Sequence, residues 1–342
     1  MILRAINTVC VAPTFKKHSA NLSVHSYING SIANYEIEEL EMQLSETSKI
    51  ILFIFAGRKK FLEIQKHYLK RILNDIEETE LHLWNFCRND ADNKYLQEIS
   101  KELPKTRIFN QYYEGTNPIS ECSKKVGVLC GCIKCRVGKW SEPYKYYASA
   151  DNNENTIYVK LDDDIVYIDT TRFKDFIKLA GDQPDVVISA NVINNGICAK
   201  LNHELSGMIV NKNFIEKDDP LSWWLLCTNA DYFRLAHEYF LWNIEAVINE
   251  TLEPILIPRV RFSINTLSFS SNVMREIADR LGADASINDE HIISMCCDII
   301  ILKGFVTSHF HYSDQRSIIE DVEEHEFIKR YQNLISSEPW IK

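Results

Sequence analysis

Tyr158-Val159-Lys160-Leu161-Asp162-Asp163-Asp164-Ile165-Val166-Tyr167-Ile168 sets three consecutive carboxylates between two apolar runs that each read as buried strand. A carboxylate taken out of water needs a cation or hydrogen-bond donors. At a strand end, the short Asp side chain brings two oxygens close to one hard cation such as Mg²⁺ or Mn²⁺, which stays open to water and to phosphate oxygens. The competing reading is a solvated acidic turn that caps the following helix. What surrounds the triplet decides between them.

Upstream, the run from Lys49 to Phe55 is apolar after its first residue and ends in Ala56-Gly57-Arg58, the pattern of a fully buried parallel strand followed by a basic turn. Phe61, Leu62, Ile64, Tyr68, Leu69, Ile72, Leu73 and Ile76 then recur at helical spacing. A second strand at 81–87 leads into the polar turn Arg88-Asn89-Asp90, a helix over 94–103 and a strand over 107–113. This alternation predicts an α/β fold with a mixed, mostly parallel sheet flanked by helices. Ligands in such sheets bind beyond the carboxyl ends of the strands, where Gly57, Arg58, Arg88 and Asp90 would sit. Residues 1–47 read as an N-terminal extension or a strand pair outside the main sheet. A core of 48–316 follows, halved at 168/169, and 317–342 read as a solvated terminal helix with a narrow apolar stripe, and a tail.

Cys122, Cys130, Cys132 and Cys135 are interleaved with Lys124, Lys125, Lys134 and Arg136. Four thiolates can hold a structural Zn²⁺, but the spacing is not that of the familiar paired knuckles, and helical thiols also pack as small apolar groups. Downstream, residues 185–193 read as another buried strand, 231–250 as one helix, and Trp223, Trp224 and Trp242 as the acceptor side of a cleft or as core. Asn288 or Asp289 is placed to cap a helix whose positive end favours ionised Asp289 and Glu290. His309 and His311 alternate on a strand over 306–312, on one face, where they can ligate a metal.

The chain has 342 residues, 45% of them hydrophobic, with 38 Lys+Arg against 48 Asp+Glu and a net charge of -10. That balance argues against broad attraction to nucleic acid or anionic membrane, though it leaves room for a local basic patch. No run approaches the roughly 20 apolar residues of a membrane span, and the first residues lack the apolar core of a secretory signal. The expectation is therefore a cytoplasmic protein with reduced thiols.

The order of these features resembles the GT-A glycosyltransferases: a buried first strand, a polar turn after the second, Asp-x-Asp after the fourth core strand, a later Asp-Glu at a helix start and a C-terminal His. The resemblance spans about residues 49–315. It implies sugar transfer from a nucleotide-sugar donor, a UDP-sugar first, to a hydroxyl of a glycan or of a nucleic acid, with Mn²⁺ or Mg²⁺ as cofactor. By the same resemblance Asp164 contacts the metal, Asp162 reaches the donor or the metal, and Asp163 shares either task. His309 or His311, with a slight preference for His311, completes the metal site. Asp289 or Glu290 deprotonates the acceptor in an inverting reaction, and Ala56, Gly57, Arg58, Arg88 and Asp90 frame the nucleotide. Two other readings compete. Asp162-Asp163-Asp164-Ile165-Val166 also fits the D-x-D-x-[TV] pattern of haloacid-dehalogenase-like phosphatases, although that family carries it on the first strand. The cysteine cluster and the basic run around it suit a non-catalytic zinc or nucleic-acid-binding module.

Overall fold

A computed structural model describes residues 25–28, 31–33, 49–110, 133–149, 155–216, 218–283 and 288–337. Among the described residues, eleven strands join in one sheet: β1 (His25–Ile28), β2 (Ser31–Ala33), β3 (Lys49–Ala56), β4 (Thr79–Asn85), β5 (Thr106–Phe109), β6 (Thr156–Leu161), β7 (Ile165–Ile168), β8 (Val187–Ile193), β9 (Pro254–Ile257), β10 (Thr266–Ser270) and β11 (Ile299–His309). β3 is buried along its length because it pairs in parallel with β4 on one side and with β6 on the other, while helices cover the sheet. That environment explains a strand with no polar alternation.

The order along the sheet is β2-β1-β9-β11-β8-β10-β6-β3-β4-β5. β3, β4, β5, β6, β8 and β11 share one direction, and β10 runs against β6 and β8 between them. The sheet is mixed, mostly parallel in its centre and flanked by helices, as the alternation in the sequence predicts. β6 is the fourth of the core strands counted from β3, so the Asp triplet falls at its carboxyl end. A haloacid-dehalogenase-like placement on the first strand is not what the chain adopts.

Several elements differ from the sequence expectation. The hairpin β1–β2 is not outside the main sheet: β1 pairs in parallel with β9 at its edge, a long-range pairing with no local signature. The helix after β4 begins at Asp90, because Asn89 accepts from the Asp92 amide at 2.8 Å and so caps it earlier than periodicity suggests. The segment expected as one helix over 231–250 is two, Ala230–Trp242 and Ile244–Ile248, interrupted at Asn243. Helix Asp321–Ser337, by contrast, carries the narrow apolar stripe expected of it, burying Phe327, Ile328, Tyr331 and Ile335. Among the described residues, no helix is long and apolar enough to cross a membrane.

The edge beyond β3 carries a polar group whose tautomer the packing settles. Trp84 Nε1 donates to the Tyr147 hydroxyl at 2.9 Å, so that hydroxyl gives its own proton to His82 Nδ1, 3.0 Å away. His82 Nε2–H then faces Glu80 at 3.3 Å. Burial pushes the imidazole down to about 4, with Glu80 opposing. The unfolded chain takes up this proton near pH 6.5, the folded one only near 4, so stability present above pH 6.5 is lost as pH falls through that window. Urea unfolding of H82Q should therefore show a smaller loss between pH 7.5 and pH 5, by about 2 kcal/mol. An identical loss in both proteins would contradict a neutral buried His82.

Candidate metal and transfer site

Three strand ends build the site. Asp162-Asp163-Asp164 forms the turn between β6 and β7, and β7 pairs antiparallel with the end of β11, opposing Ile165 to His309. A register irregularity between Ser308 and His309 re-aims the chain there, and the Phe310 amide bonds to the Asp164 carbonyl at 2.9 Å. This ladder brings together segments some 145 residues apart. β10 lies antiparallel on the other side of β6, so Asn265 bonds Asp162 twice: the Asp162 amide donates to the Asn265 carbonyl at 2.9 Å, and Asn265 Nδ2 donates to Asp162 Oδ2 at 3.0 Å.

Asp163 and Asp164 are buried, and each has a cation. Arg58, from the turn after β3, donates through Nε to Asp163 Oδ1 at 2.9 Å, contacts the same oxygen through Nη2, and lies 2.9 Å from Asp164 Oδ2 through Nη1. The Gly57 amide adds a bond to Asp163 Oδ2 at 2.8 Å. A Cβ on Gly57 would sit 2.9 Å from the Phe86 carbonyl oxygen, so the close approach of the β3 and β4 turns needs glycine there. Lys160, two residues before Asp162 and therefore on the same strand face, places Nζ 2.6 Å from Asp162 Oδ1 and 2.7 Å from the Ile264 carbonyl. Burial alone would raise the Asp164 carboxyl; Arg58 and His309 outweigh it and hold that group well below the usual carboxylate range.

Asp164 Oδ1 is buried with no hydrogen bond of good geometry, yet His309 Nε2 stands 3.2 Å from it and 3.9 Å from Asp162 Oδ2. Ligand atoms of Asp162, Asp164 and His309 all lie within 4.8 Å of one another. Around a cation bound at about 2.1 Å, neighbouring octahedral ligands are about 3.0 Å apart and opposite ones about 4.2 Å, so this triad fits a single divalent ion. Two carboxylates and an imidazole make a donor set for a divalent cation.

His311 is differently engaged. Its Nε2 is 3.0 Å from Glu324 of helix Asp321–Ser337, its Nδ1 3.4 Å from Arg316 Nε and 4.0 Å from Asp164. Burial pushes this imidazole below its ordinary value despite Glu324, so the neutral ring donates from Nε2 and accepts at Nδ1. Glu324, which Lys60 also contacts, is held down to about 2 by His311 first.

These groups line a cleft of about 300 Å³ together with Asp289 and Glu290. Asn288 caps helix Asp289–Cys296 through the His291 amide at 2.9 Å, as its sequence predicts. The helix dipole does not govern the two carboxyls, however. Burial raises both above their ordinary values. Asp289 accepts from the Tyr144 hydroxyl at 3.0 Å, whereas Glu290 is ion-paired with Arg261 at 2.8 Å, and Arg261 stacks 4.8 Å from the Trp224 ring.

The cleft therefore unites Arg58, Asp162, Asp163, Asp164, Asp289, Glu290, His309 and His311. Ala56 is buried within β3, and Arg88 and Asp90 are exposed and line none of this cleft. Cys122, Cys130 and Cys132 lie outside the described residues, and of Cys135 only its backbone place in helix Ile133–Ser149 is described. Sequence reading took Tyr144 only as part of an aromatic segment packing under the carboxylate strand and passed over Lys160, Asn265, Arg316 and Glu324. Of these only Lys160 had a local signal, a lysine inside an otherwise apolar strand.

The fold and site together define an α/β protein with a mixed, mostly parallel sheet and an Asp-x-Asp centre at the end of its fourth core strand. Among solved structures, the chain is similar to the galactosyltransferase LgtC in complex with donor and acceptor sugar analogs, at 9% identity over 83% of this chain and 95% of that one, with a TM-score of 0.40. It is also similar to a 4-diphosphocytidyl-2C-methyl-D-erythritol synthase from Anaerococcus prevotii, at 10% identity over 84% and 96%, with a TM-score of 0.39. A third is core-mannan synthase A from Aspergillus fumigatus in its Mn/GDP form, at 12% identity over 85% and 88%, with a TM-score of 0.33. At these scores the likenesses assign nothing to this chain. No protein-family model matches the sequence, and no curated protein matches it.

Mn²⁺ titration followed by electron paramagnetic resonance distinguishes the two histidines. H309A and D164N should each weaken binding by about 10- to 100-fold, while H311Q should stay within about threefold of wild type. Unchanged binding in H309A with loss in H311Q would reverse the assignment.

Proposed function

We propose that the protein is a divalent-metal-dependent glycosyltransferase that moves a sugar from a nucleotide-sugar donor, a UDP-sugar in the first instance, to a hydroxyl of a glycan acceptor with inversion. The observation that carries this reading is the meeting of two chemically distinct acidic groups in one cleft: the Asp162, Asp164 and His309 triad, and Asp289 with Glu290. A single displacement at an anomeric carbon needs charge neutralisation at the leaving diphosphate and a proton acceptor at the attacking hydroxyl.

A divalent cation held by Asp162, Asp164 and His309 would supply Lewis-acid neutralisation of the diphosphate. Arg316 lines the same cleft, is exposed to solvent and makes no ion pair with a carboxylate among the described residues. Its guanidinium suits the outer phosphate oxygens, and His311 and Glu324 hold it in place. Arg58 is already committed to Asp163 and Asp164, so its part is to pair these two carboxylates and orient the triplet.

On the acceptor side, Asp289 and Glu290 are not equivalent. Glu290 is neutralised by direct contact with Arg261, whereas Asp289 is touched by a neutral hydroxyl. Asp289 is therefore the base. The acceptor oxygen forms its bond to the anomeric carbon as the bond to the diphosphate oxygen breaks, and the acceptor proton passes to Asp289. The raised affinity of Asp289 for a proton, caused by burial, suits that role near neutral pH.

Thermal-shift screening of nucleotide sugars with and without Mn²⁺ identifies the donor, since a ligand bound only to the native state raises the melting temperature. With that donor, D289N should lower kcat by about 10²- to 10⁴-fold and E290Q by less than tenfold, read as nucleotide release coupled to transfer. Full turnover in D289N would remove it as the base.

A further inference from the structure

Tyr144 belongs to helix Ile133–Ser149, away from the strand ends that carry the acidic groups. It is fully buried, edge-on to Phe53 with ring centroids 5.8 Å apart and 6.2 Å from Phe55. A buried phenol needs a hydrogen-bond partner, and here it is the Asp289 carboxylate: the hydroxyl donates to Oδ2 at 3.0 Å. The other oxygen, Oδ1, accepts from the Glu290 amide at 3.1 Å. Both oxygens of the carboxylate are thus tied, by donors from two different elements, and its rotation about χ2 is fixed.

We propose, on the basis of the transfer reading above, that Tyr144 is a positioning residue for the reaction: it holds Asp289 in the orientation and proton-accepting form that meets the acceptor hydroxyl. It does not touch the reacting atoms; it acts through Asp289. Several charged or titratable groups face this carboxyl. Lys160 from β6 and Tyr144 from its helix favour the ionised form, Asp162 from the β6–β7 turn disfavours it, and Glu290 on the same helix carries its own counter-ion in Arg261. Burial and the adjacent Asp289 push the Tyr144 hydroxyl well above its ordinary value, so it remains a donor across the working range.

Phenylalanine keeps the ring packed against Phe53 and Phe55 and removes only the hydroxyl, so Y144F isolates the hydrogen bond. Two measurements test it. In the metal-free full chain labelled with ¹³C at aspartate carboxyls, with D289N assigning the signal, Y144F should titrate Asp289 about one pH unit higher than wild type. In transfer assays, the acid limb of kcat/KM should move up by the same amount, with the plateau reduced less than tenfold and the donor KM unchanged. A uniform loss with an unmoved limb and an unmoved carboxyl titration would make Tyr144 a packing residue and overturn the proposal. The titration needs no turnover, so the two levels separate. If wild type transfers sugar and the carboxyl does not shift in Y144F, the proposal alone fails. If the carboxyl shifts but wild type transfers nothing from any nucleotide sugar, the transfer reading fails and the catalytic proposal falls with it.

Discussion

The Arg58 guanidinium, shared between Asp163 and Asp164, is the interaction on which the site depends. Two adjacent carboxylates with almost no access to water repel one another, and leaving such a charge unpaired costs several kcal/mol. One planar cation that reaches both, reinforced by the Gly57 amide, makes the turn tenable. Lys160 does the same for Asp162 from within the strand. The arrangement follows from parallel pairing: β3 and β6 are hydrogen-bonded neighbours, so their carboxyl ends, with Arg58 on one and the triplet on the other, finish side by side.

Charge compensation also divides labour among the acidic residues. Asp163 is taken up by Gly57 and Arg58 and holds the loop after β3. Asp162 and Asp164 keep oxygens directed toward His309. Across the cleft, Arg261 engages Glu290, while the Tyr144 hydroxyl and the Glu290 amide hydrogen-bond Asp289. The helix N-terminus beneath these last two would by itself favour ionisation, yet burial is the larger effect and raises both.

The C-terminal helix is part of this construction. Tyr331 bonds to both Ser308 and His237, and His237 in turn reaches the Phe310 carbonyl at 2.8 Å. Asn194, which adopts a positive φ of 69, bonds the same carbonyl at 2.8 Å and also bonds Gln315. The backbone between His309 and His311 is therefore gripped from three elements, and Glu324 fixes the second imidazole.

By itself, the sequence determined the alternation of buried strands and helices, the placement of an acidic triplet at the end of a central strand, and a helix cap at Asn288 or Asp289. Each of these is written in hydrophobic period or in local hydrogen-bonding chemistry, both properties of neighbouring residues. Which carboxylates are neutralised, which histidine faces the aspartates, and the parts played by Tyr144, Arg316 and Glu324 were decided only in three dimensions. The partners in each case lie from 13 to 145 residues apart in the chain or on different elements. Nothing in a run of sequence distinguishes His309 from His311 or Asp289 from Glu290. Antiparallel register along β7 and β11 separates the first pair, and the approach of Tyr144 and Arg261 from opposite sides separates the second.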